Sequence, residues 1–268
     1  MAPKLLVIGG GKMGGALVSG LLAAGWAEPA ALAVVEPSPQ RRRELEGEHR
    51  GLVVHEQVGL GLVDDDGGAV LAVKPDLAEG TCRLLKAAGI RRVLSVAAGI
   101  PAQRLEAALG DGAVVIRSMP NTPVLVGAGV SAISGGSHAH AADLDWAESI
   151  LSAVGSVVRV PERQLDAVTG LSGCGPAYVF LMVESLIEAG VAAGLARDVS
   201  TKLVVETVVG SAKLLAESGE TPEKLRADIT SPGGATAAGL RTLEARAVRS
   251  AFIEAVAAAA ERSRQLAH

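Results

Sequence analysis

The stretch KLLVIGGGKMG, from Lys4 to Gly14, decides the fold of this chain. An unbroken apolar run reaches a glycine-rich turn with the spacing G-x-G-x-x-G, and a helical pattern opens directly after it. In such a turn the first glycine permits the tight bend, the second lets the backbone approach a pyrophosphate, and the third lets the helix pack against the strand. The free N–H groups at the helix start then face the phosphates. The sequence therefore predicts a Rossmann-type dinucleotide-binding unit whose contacts are Gly9, Gly11, Lys12, Met13 and Gly14.

Short apolar runs alternate with helical patterns over the first 160 residues. This alternation predicts a parallel sheet with crossover helices. Because the strands show no polar alternation, we expect both faces of the sheet to be covered. The predicted strands are 4–9, 32–35, 52–54, 69–73, 92–96 and 113–116, and the predicted helices include 13–24, 39–48, 76–88 and 101–109.

After Val160 the pattern changes to long helices separated by glycine, proline or serine, with no convincing strand. We therefore predict an α/β Rossmann-type N-terminal domain over residues 1–160 and a C-terminal all-α domain over residues 161–268. The second domain has long apolar helices with small residues that permit close approach, so we expect it to bury a dimer interface. Its predicted helices are 175–194, 198–218, 221–227, 234–244 and 247–266.

Composition narrows the function classes. The net charge of −4 gives no electrostatic footprint for nucleic acid. The two cysteines, Cys82 and Cys174, make neither a disulfide framework nor a metal cage, so we expect no metal and a reduced, cytoplasmic setting. We expect no signal peptide, because an apolar strand follows the first residues directly. We also expect no membrane span, because the most apolar later stretch carries Glu184 and Glu188 in its middle.

The residues after the second predicted strand are candidates to bind the ribose of the dinucleotide. Glu36 ends this strand about 20 residues after the glycine turn, where an acidic residue binds the ribose 2′-hydroxyl and favours NAD. Ser38 and Arg41 follow at once and could instead hold a 2′-phosphate, a task that suits arginine. The residues alone leave NADH and NADPH both open, and a solvated helix face is the alternative for the arginine run.

Three irregular segments leave the carboxyl ends of the last three predicted strands, the edge at which such sheets bind ligands. Lys74 there is as compatible with plain solvation as with cofactor contact. Asn121, between two prolines, is a candidate for a fixed hydrogen bond, or for a side chain that stabilises its own turn. The candidate cofactor contacts in these segments are Val73, Lys74, Pro75, Ala97, Ala98, Met119, Pro120 and Asn121.

A loop rich in hydroxyls and glycines precedes one helix of the second domain. Backbone N–H groups at such a helix start can bind an anion, for which a carboxylate is a natural guest. The Thr236 hydroxyl beside them can both donate and accept. An ordinary capped helix start is the alternative. Pro232 has no N–H, so the candidate substrate contacts are Ser231, Gly233, Gly234, Ala235 and Thr236.

Taken together, these motifs resemble the pyrroline-5-carboxylate reductase family along essentially the whole chain. The residues that carry the resemblance are IGGGKMG from Ile8, the VKP turn from Val73, MPNTP from Met119, the loop 170–178 and, above all, TSPGGAT from Thr230. The resemblance implies an NAD(P)H-dependent imine oxidoreductase that reduces 1-pyrroline-5-carboxylate to L-proline in the last step of proline biosynthesis. NADPH is the usual donor in the family, and many members accept NADH. The resemblance also implies a homodimer of interlocking helical domains, often assembled into a homodecamer.

The implied reaction moves a hydride from a nicotinamide to a protonated cyclic imine, so the protein has to position the reactants rather than supply a strong acid. We expect Thr236 to be the catalytic residue, which hydrogen-bonds the ring nitrogen and relays its proton. Two other classes fit less well. A hydroxy-acid dehydrogenase would need a lysine or histidine base on the helix from Gly175, and a cofactor-binding sensor would not need the anion loop.

Overall fold

One eight-stranded sheet organises the N-terminal part of the chain, in the order β3-β2-β1-β4-β5-β6-β7-β8. The computed structural model describes residues 3–64 and 66–266. Its strands are β1 (Leu5–Ile8), β2 (Leu32–Val35), β3 (Val53–His55), β4 (Gly68–Leu71), β5 (Arg92–Ser95), β6 (Val114–Pro120), β7 (Gly129–Gly135) and β8 (Gly155–Arg159). The helices of this part are α1 (Lys12–Ala23), α2 (Pro39–Glu48), α3 (Pro75–Ala87), α4 (Ala102–Leu109), α5 (Ala141–Leu151) and α6 (Leu165–Val168).

Strands β1 to β6 run parallel to one another in the sheet, as predicted. Both faces of the sheet are buried, which confirms the expectation drawn from the apolar strands. Leu5 and Val7 belong to one hydrophobic cluster, whereas Leu6 and Ile8 belong to the cluster on the opposite face. This follows from the alternation of side chains along a strand, and it leaves only the ends of the strands open to a ligand.

The prediction of six strands was incomplete. Strand β7 pairs antiparallel with β6, and β8 pairs parallel with β7. Their sequences, GVSAISG and GSVVR, are rich in small and polar residues and give little apolar signal. Strand β6 also runs further than predicted, because its last residues pair with β7. Met119 and Pro120 therefore end a strand, opposite Ala132 and Ser131, rather than standing in an irregular loop.

The helical part of the chain contains all five predicted helices, with ends displaced by at most two residues, and no strand follows Arg159 in the described part. The chain divides into two compact units, one up to Cys174 together with the segment from Ala258, the other Gly175–Ala257. The domain boundary at residues 160 and 161 stays a prediction. The helices here are α7 (Gly175–Ala192), α8 (Arg197–Ser218), α9 (Pro222–Asp228), α10 (Ala235–Ala245) and α11 (Val248–Leu266).

Helices α7 and α8 expose apolar side chains in the isolated chain. No residue of α7 is buried, and Phe180 and Leu181 are 65% and 64% exposed. The run Glu162–Ala192, which includes α7, is long and apolar enough to cross a membrane by length and composition alone. A helix that packs against a second protein chain passes the same test, so this run carries no conclusion about a membrane.

Candidate functional site

The carboxyl ends of four neighbouring strands lie along one edge of the sheet. Ile8 stands in register with Val35 on one side and with Leu71 on the other, and Leu71 stands beside Ser95. The ladder continues one step beyond the strands, since Gly9 N donates to Val35 O at 2.8 Å. The structure thus brings together the loops 9–14, 36–41, 72–75 and 96–98, which contain most of the predicted cofactor contacts.

The glycines of the first loop differ in what surrounds them. Gly9 has φ +101°, and a side chain there would collide with the Ala72 carbonyl. A side chain on Gly14 would collide with the carbonyl of Gly9. Gly11, in contrast, has no atom of the described chain beyond residues 10–12 within 4 Å of the position that a Cβ would occupy. The outer two glycines are therefore needed by the fold, whereas the middle one leaves open space at the start of α1, as an approaching pyrophosphate requires.

The other predicted contacts at this edge are partly side chains and partly backbone. Lys12 and Lys74 are exposed cations, and Lys74 directly precedes α3. Met13 and Val73 are partly buried, and each packs against one of the two hydrophobic clusters. Ala97 is buried, with its N–H 3.3 Å from Ser95 Oγ. The remaining two residues, Pro75 and Ala98, are exposed.

Glu36 lies closer to the glycine loop than its position in the sequence indicates. Its side chain is buried, with the residue only 9% exposed. One carboxylate oxygen accepts from Gly10 N at 2.9 Å and the other accepts from Ser38 N at 2.8 Å. Both oxygens are therefore engaged by backbone N–H groups. The sequence could not show this, because Gly10 is the unconstrained position of the glycine motif.

Arg41 also contacts the glycine loop, through its Nε, which donates to Gly10 O at 2.7 Å. Its Nη1 donates to Glu44 and Glu48 at 3.0 and 3.2 Å. Burial lowers the pKa of the Arg41 guanidinium, but hydrogen bonds and charges from these two glutamates outweigh it and the pKa is raised above its ordinary value. Arg42, the next residue of the arginine run, donates to two backbone carbonyls. The arginine run is thus only partly a solvated face.

Asn121 follows β6, and of its two polar side-chain atoms only Oδ1 is hydrogen-bonded within the described residues. The Oδ1 atom accepts from Val130 N at 2.9 Å, at the start of β7. The Nδ2 group donates to no partner in residues 3–64 and 66–266. The carbonyl oxygen therefore stabilises the turn, and the orientation that it fixes leaves the amide N–H₂ available to a ligand.

We expect Asn121→Asp to weaken cofactor binding by about tenfold, the scale of one lost hydrogen bond to a charged or polar ligand. The aspartate keeps an oxygen for Val130 N–H but has no N–H₂, so the thermal unfolding temperature should change little. Isothermal titration with NADPH measures the affinity. If Asn121 only stabilises its turn, Asn121→Asp binds like the wild type and only Asn121→Ala is impaired.

The second candidate loop lies in the helical unit, between α9 and α10. Gly233 has φ +72°, and Gly234 N donates to Ser231 O at 3.1 Å, which closes a tight turn. The first amide of α10 that bonds back to the turn is that of Ala238, so the N–H groups before it are those that a helix leaves without an intrahelical acceptor. Thr236 is exposed, and its hydroxyl makes no hydrogen bond within the described ranges.

Two buried hydroxyls escaped the sequence analysis. Ser118 Oγ and Ser172 Oγ have no partner among the described residues. Ser118 lies on β6, and Ser172 lies in a π-helical turn, Thr169–Gly173, that packs against this strand. The predicted glycine-rich loop is thus partly helical. Gly173 lies close to the same strand, because a Cβ there would lie 2.5 Å from Met119 Cε. A lone serine carries no sequence signal that would have identified either residue.

Cys82 takes no part in these loops as a reactive group. Burial, with a contribution from the charge of Glu79, raises the pKa of the Cys82 thiol to about 11. Both cysteines are free thiols. Cys174 follows the π-helical turn directly and is half-buried.

Comparisons with known proteins agree with these features. Residues 162–266 match the family model described as pyrroline-5-carboxylate reductase dimerisation, and residues 4–99 match the model described as NADP oxidoreductase coenzyme F420-dependent. A pyrroline-5-carboxylate reductase from Synechocystis is 43% identical, with 99% of each chain covered. The structure of the Coxiella burnetii enzyme superposes with a TM-score of 0.92 at 34% identity, over 99% of each chain. A Plasmodium falciparum pyrroline carboxylate reductase structure, with NADP bound, gives 0.86 at 32% identity, over 99% of this chain and 98% of its own.

Proposed function

The chain belongs to the pyrroline-5-carboxylate reductase family, and from this premise we propose how its residues carry out the reaction. The enzyme reduces 1-pyrroline-5-carboxylate, a five-membered cyclic imine with a carboxylate, to L-proline, the last step of proline biosynthesis. Its reductant is NADPH. Among the structural features, the open backbone at Gly11, between two glycines packed against protein, supports this function best. Oxidation of NADPH upon addition of the imine tests it.

The cofactor loop fits a dinucleotide in both shape and charge. The open position at Gly11 and the N–H groups of Lys12, Met13 and Gly14 would hold the pyrophosphate at the start of α1. The ammonium groups of Lys12 and Lys74 add positive charge at the same sheet edge. When bound, the cofactor supplies a hydride to the imine carbon. The further contacts that we propose are Gly9, Ser38, Arg41, Val73, Pro75, Ala97, Ala98, Met119, Pro120 and Asn121.

The loop before α10 would bind the substrate. We assign the substrate carboxylate to the backbone N–H groups of Ser231, Gly233, Gly234 and Ala235, because they lie at the positive end of α10, which favours an anion. Gly234 N, which donates to Ser231 O at 3.1 Å, would share its proton between the two acceptors. The carboxylate anchors one end of a small ring, so the ring nitrogen stays within reach of the neighbouring Thr236.

Thr236 handles the proton of the reaction. The imine nitrogen carries a proton when the hydride arrives; the carbon gains a C–H bond, the C=N double bond becomes single, and the electron pair of its π bond stays on nitrogen. The Thr236 hydroxyl accepts a hydrogen bond from the protonated nitrogen and can pass a proton on, because a hydroxyl both donates and accepts. An exposed hydroxyl without a protein partner is suited to this role.

The protein is a homo-oligomer whose helical region matches a dimerisation model. We propose a homodimer in which the exposed apolar side chains of α7 and α8 are covered by the second copy. This exposed set is far larger than a monomer would carry without aggregating. Its members include Val179, Phe180, Leu181, Met182, Leu186, Val199, Leu203, Val205, Val209, Leu214 and Leu215. A homodecamer built from such dimers is the larger assembly that the family resemblance implies.

Phe180→Glu is expected to weaken the dimer by about tenfold or more, because a large aromatic side chain at an interface is commonly a hot spot. Sedimentation velocity over a dilution series measures this and also separates dimer from decamer. Leu60→Glu is the matched control, since Leu60 is 81% exposed but lies outside the helical region. Equal assembly of the Phe180→Glu protein and the wild type would exclude α7 from the interface.

We propose a cytoplasmic location for the enzyme. Both cysteines are free, and free thiols are typical of a reducing compartment. The buried Cys82 thiol, with its raised pKa, is protected from oxidation by its lack of thiolate.

A further inference from the structure

The carboxylate of Glu36 is hydrogen-bonded to Gly10, the second residue of the glycine loop. Gly10 donates its N–H to Glu36 and accepts from Arg41 through its carbonyl. Both backbone polar groups of Gly10 are therefore bonded to charged side chains, and hydrogen bonds to charged groups are stronger than neutral ones. The backbone itself lies tightly against this support, since a Cβ on Gly10 would lie 2.5 Å from Leu45 Cδ1 and 3.3 Å from Glu36.

The segment after β2 is fixed by the same carboxylate. Ser38 N donates to the Glu36 carboxylate, and Ser38 Oγ accepts a hydrogen bond from Arg41 N at the start of α2. The Arg42 guanidinium donates to the carbonyls of Glu36 and Pro37 at 3.0 and 2.8 Å. Glu36 thus links the loop that precedes α1 to the loop that precedes α2, and both loops contain proposed cofactor contacts.

We propose that Glu36 is a positioning residue, which orients the pyrophosphate loop through Gly10 N–H, rather than the residue that distinguishes NADH from NADPH. This proposal rests on the proposed dinucleotide site. An acidic residue at the end of the second strand would bind the ribose hydroxyls if its oxygens faced the ligand. Here each oxygen already accepts from a backbone N–H, and the residue is 9% exposed.

The Glu36 carboxylate is one of several charges in this part of the site. Arg41 and Arg42 both bond to the backbone that it holds, and they also pair with Glu44, Glu48 and Glu56, so Glu36 alone does not set the local charge. Loss of the carboxylate should therefore disturb the loop for both cofactors alike, instead of relieving repulsion for one of them.

Two variants separate positioning from recognition. Glu36→Gln removes the charge and leaves one oxygen for two donors, whereas Glu36→Asp keeps the charge but is too short to reach both N–H groups. If Glu36 positions the loop, each variant raises the Kd of NADPH and of NADH by roughly tenfold. The ratio of the two Kd values then stays within about threefold of the wild-type ratio, and kcat at saturating cofactor is nearly unchanged. Glu46→Gln, a charge removal at an exposed position of α2, is the control and should bind both cofactors like the wild type.

Binding is measured by titration without the imine, so the result does not depend on the reductase activity. Unchanged affinity in both variants, with wild-type binding intact, overturns the positioning role alone. Tighter NADPH binding and weaker NADH binding in Glu36→Gln, with no such shift in Glu36→Asp, would mean that the Glu36 charge distinguishes the two cofactors. This result would also overturn the positioning role. If Glu36→Gln does not fold, Glu36→Asp still shows whether the affinities for NADPH and NADH fall by the same factor. A folded wild type that binds neither dinucleotide would overturn the proposed cofactor site itself.

Discussion

Thr236→Ala is expected to lower kcat by at least about tenfold, because a hydrogen bond to the reacting nitrogen contributes about 1.5 kcal/mol or more when one partner is charged. The structure makes this substitution a clean probe. Thr236 is the second residue of α10 and is exposed, and its hydroxyl has no hydrogen bond within the described residues. Removing it therefore costs the fold little, and the unfolding temperature should stay close to that of the wild type.

Two further variants test whether the loss of kcat in Thr236→Ala is due to the missing hydroxyl group. Thr236→Ser keeps the hydroxyl and should retain most of the turnover. Thr242→Ala removes an exposed threonine from the same helix, where its hydroxyl lies 3.2 Å from the Ala238 carbonyl, and should leave kcat unchanged. Steady-state rates at saturating NADPH and imine give the comparison. Activity of Thr236→Ala within about twofold of the wild type would remove Thr236 from the chemistry.

Gly11→Ala is expected to abolish most cofactor affinity without unfolding the protein. The glycine has φ −66° and ψ −164°, a conformation open to alanine. No protein atom beyond residues 10–12 lies within 4 Å of the new methyl group, so the space that it fills is the space that we assign to the pyrophosphate. Losing one or two charged hydrogen bonds to the phosphates would raise the Kd of NADPH by about tenfold to a hundredfold.

The neighbouring glycines and a distant one serve as comparisons for Gly11. Gly9→Ala and Gly14→Ala should lower stability as well as affinity, because their methyl groups meet backbone carbonyls. Gly47→Ala adds a methyl group to α2 in equally open space and should bind NADPH like the wild type. Calorimetric titration and thermal unfolding, measured on the same samples, separate these cases. Normal NADPH binding by Gly11→Ala would mean that the pyrophosphate does not pass over this loop.

The parallel half of the sheet could be predicted from the sequence because its strands are short, apolar and punctuated by glycine and proline. The same rule located the cofactor loops, since parallel strands end at a common edge. The C-terminal helices were predictable for a similar reason: Thr221 and Pro222 mark the start of α9, and glycines end or precede α7, α8 and α10. Loop SPGGAT stood out because its glycines and hydroxyls have no place in a core helix.

What the sequence could not predict depends on contacts between distant residues. Strands β7 and β8 carry little apolar signal and are held by their pairing with β6. The commitment of Glu36 to Gly10 depends on a hydrogen bond across 26 positions of the chain. The orphan hydroxyls of Ser118 and Ser172 have no pattern at all, and only their burial reveals them.

The most direct test of the assigned reaction is the oxidation of NADPH, and separately of NADH, by the purified oligomer when 1-pyrroline-5-carboxylate is added. We predict rapid oxidation of NADPH with formation of L-proline in equal amount, and the rate with NADH reports how far the ribose site discriminates. No oxidation of either cofactor by a folded, oligomeric sample that binds NADPH would contradict the assignment, since the loop before α10 would then serve another substrate.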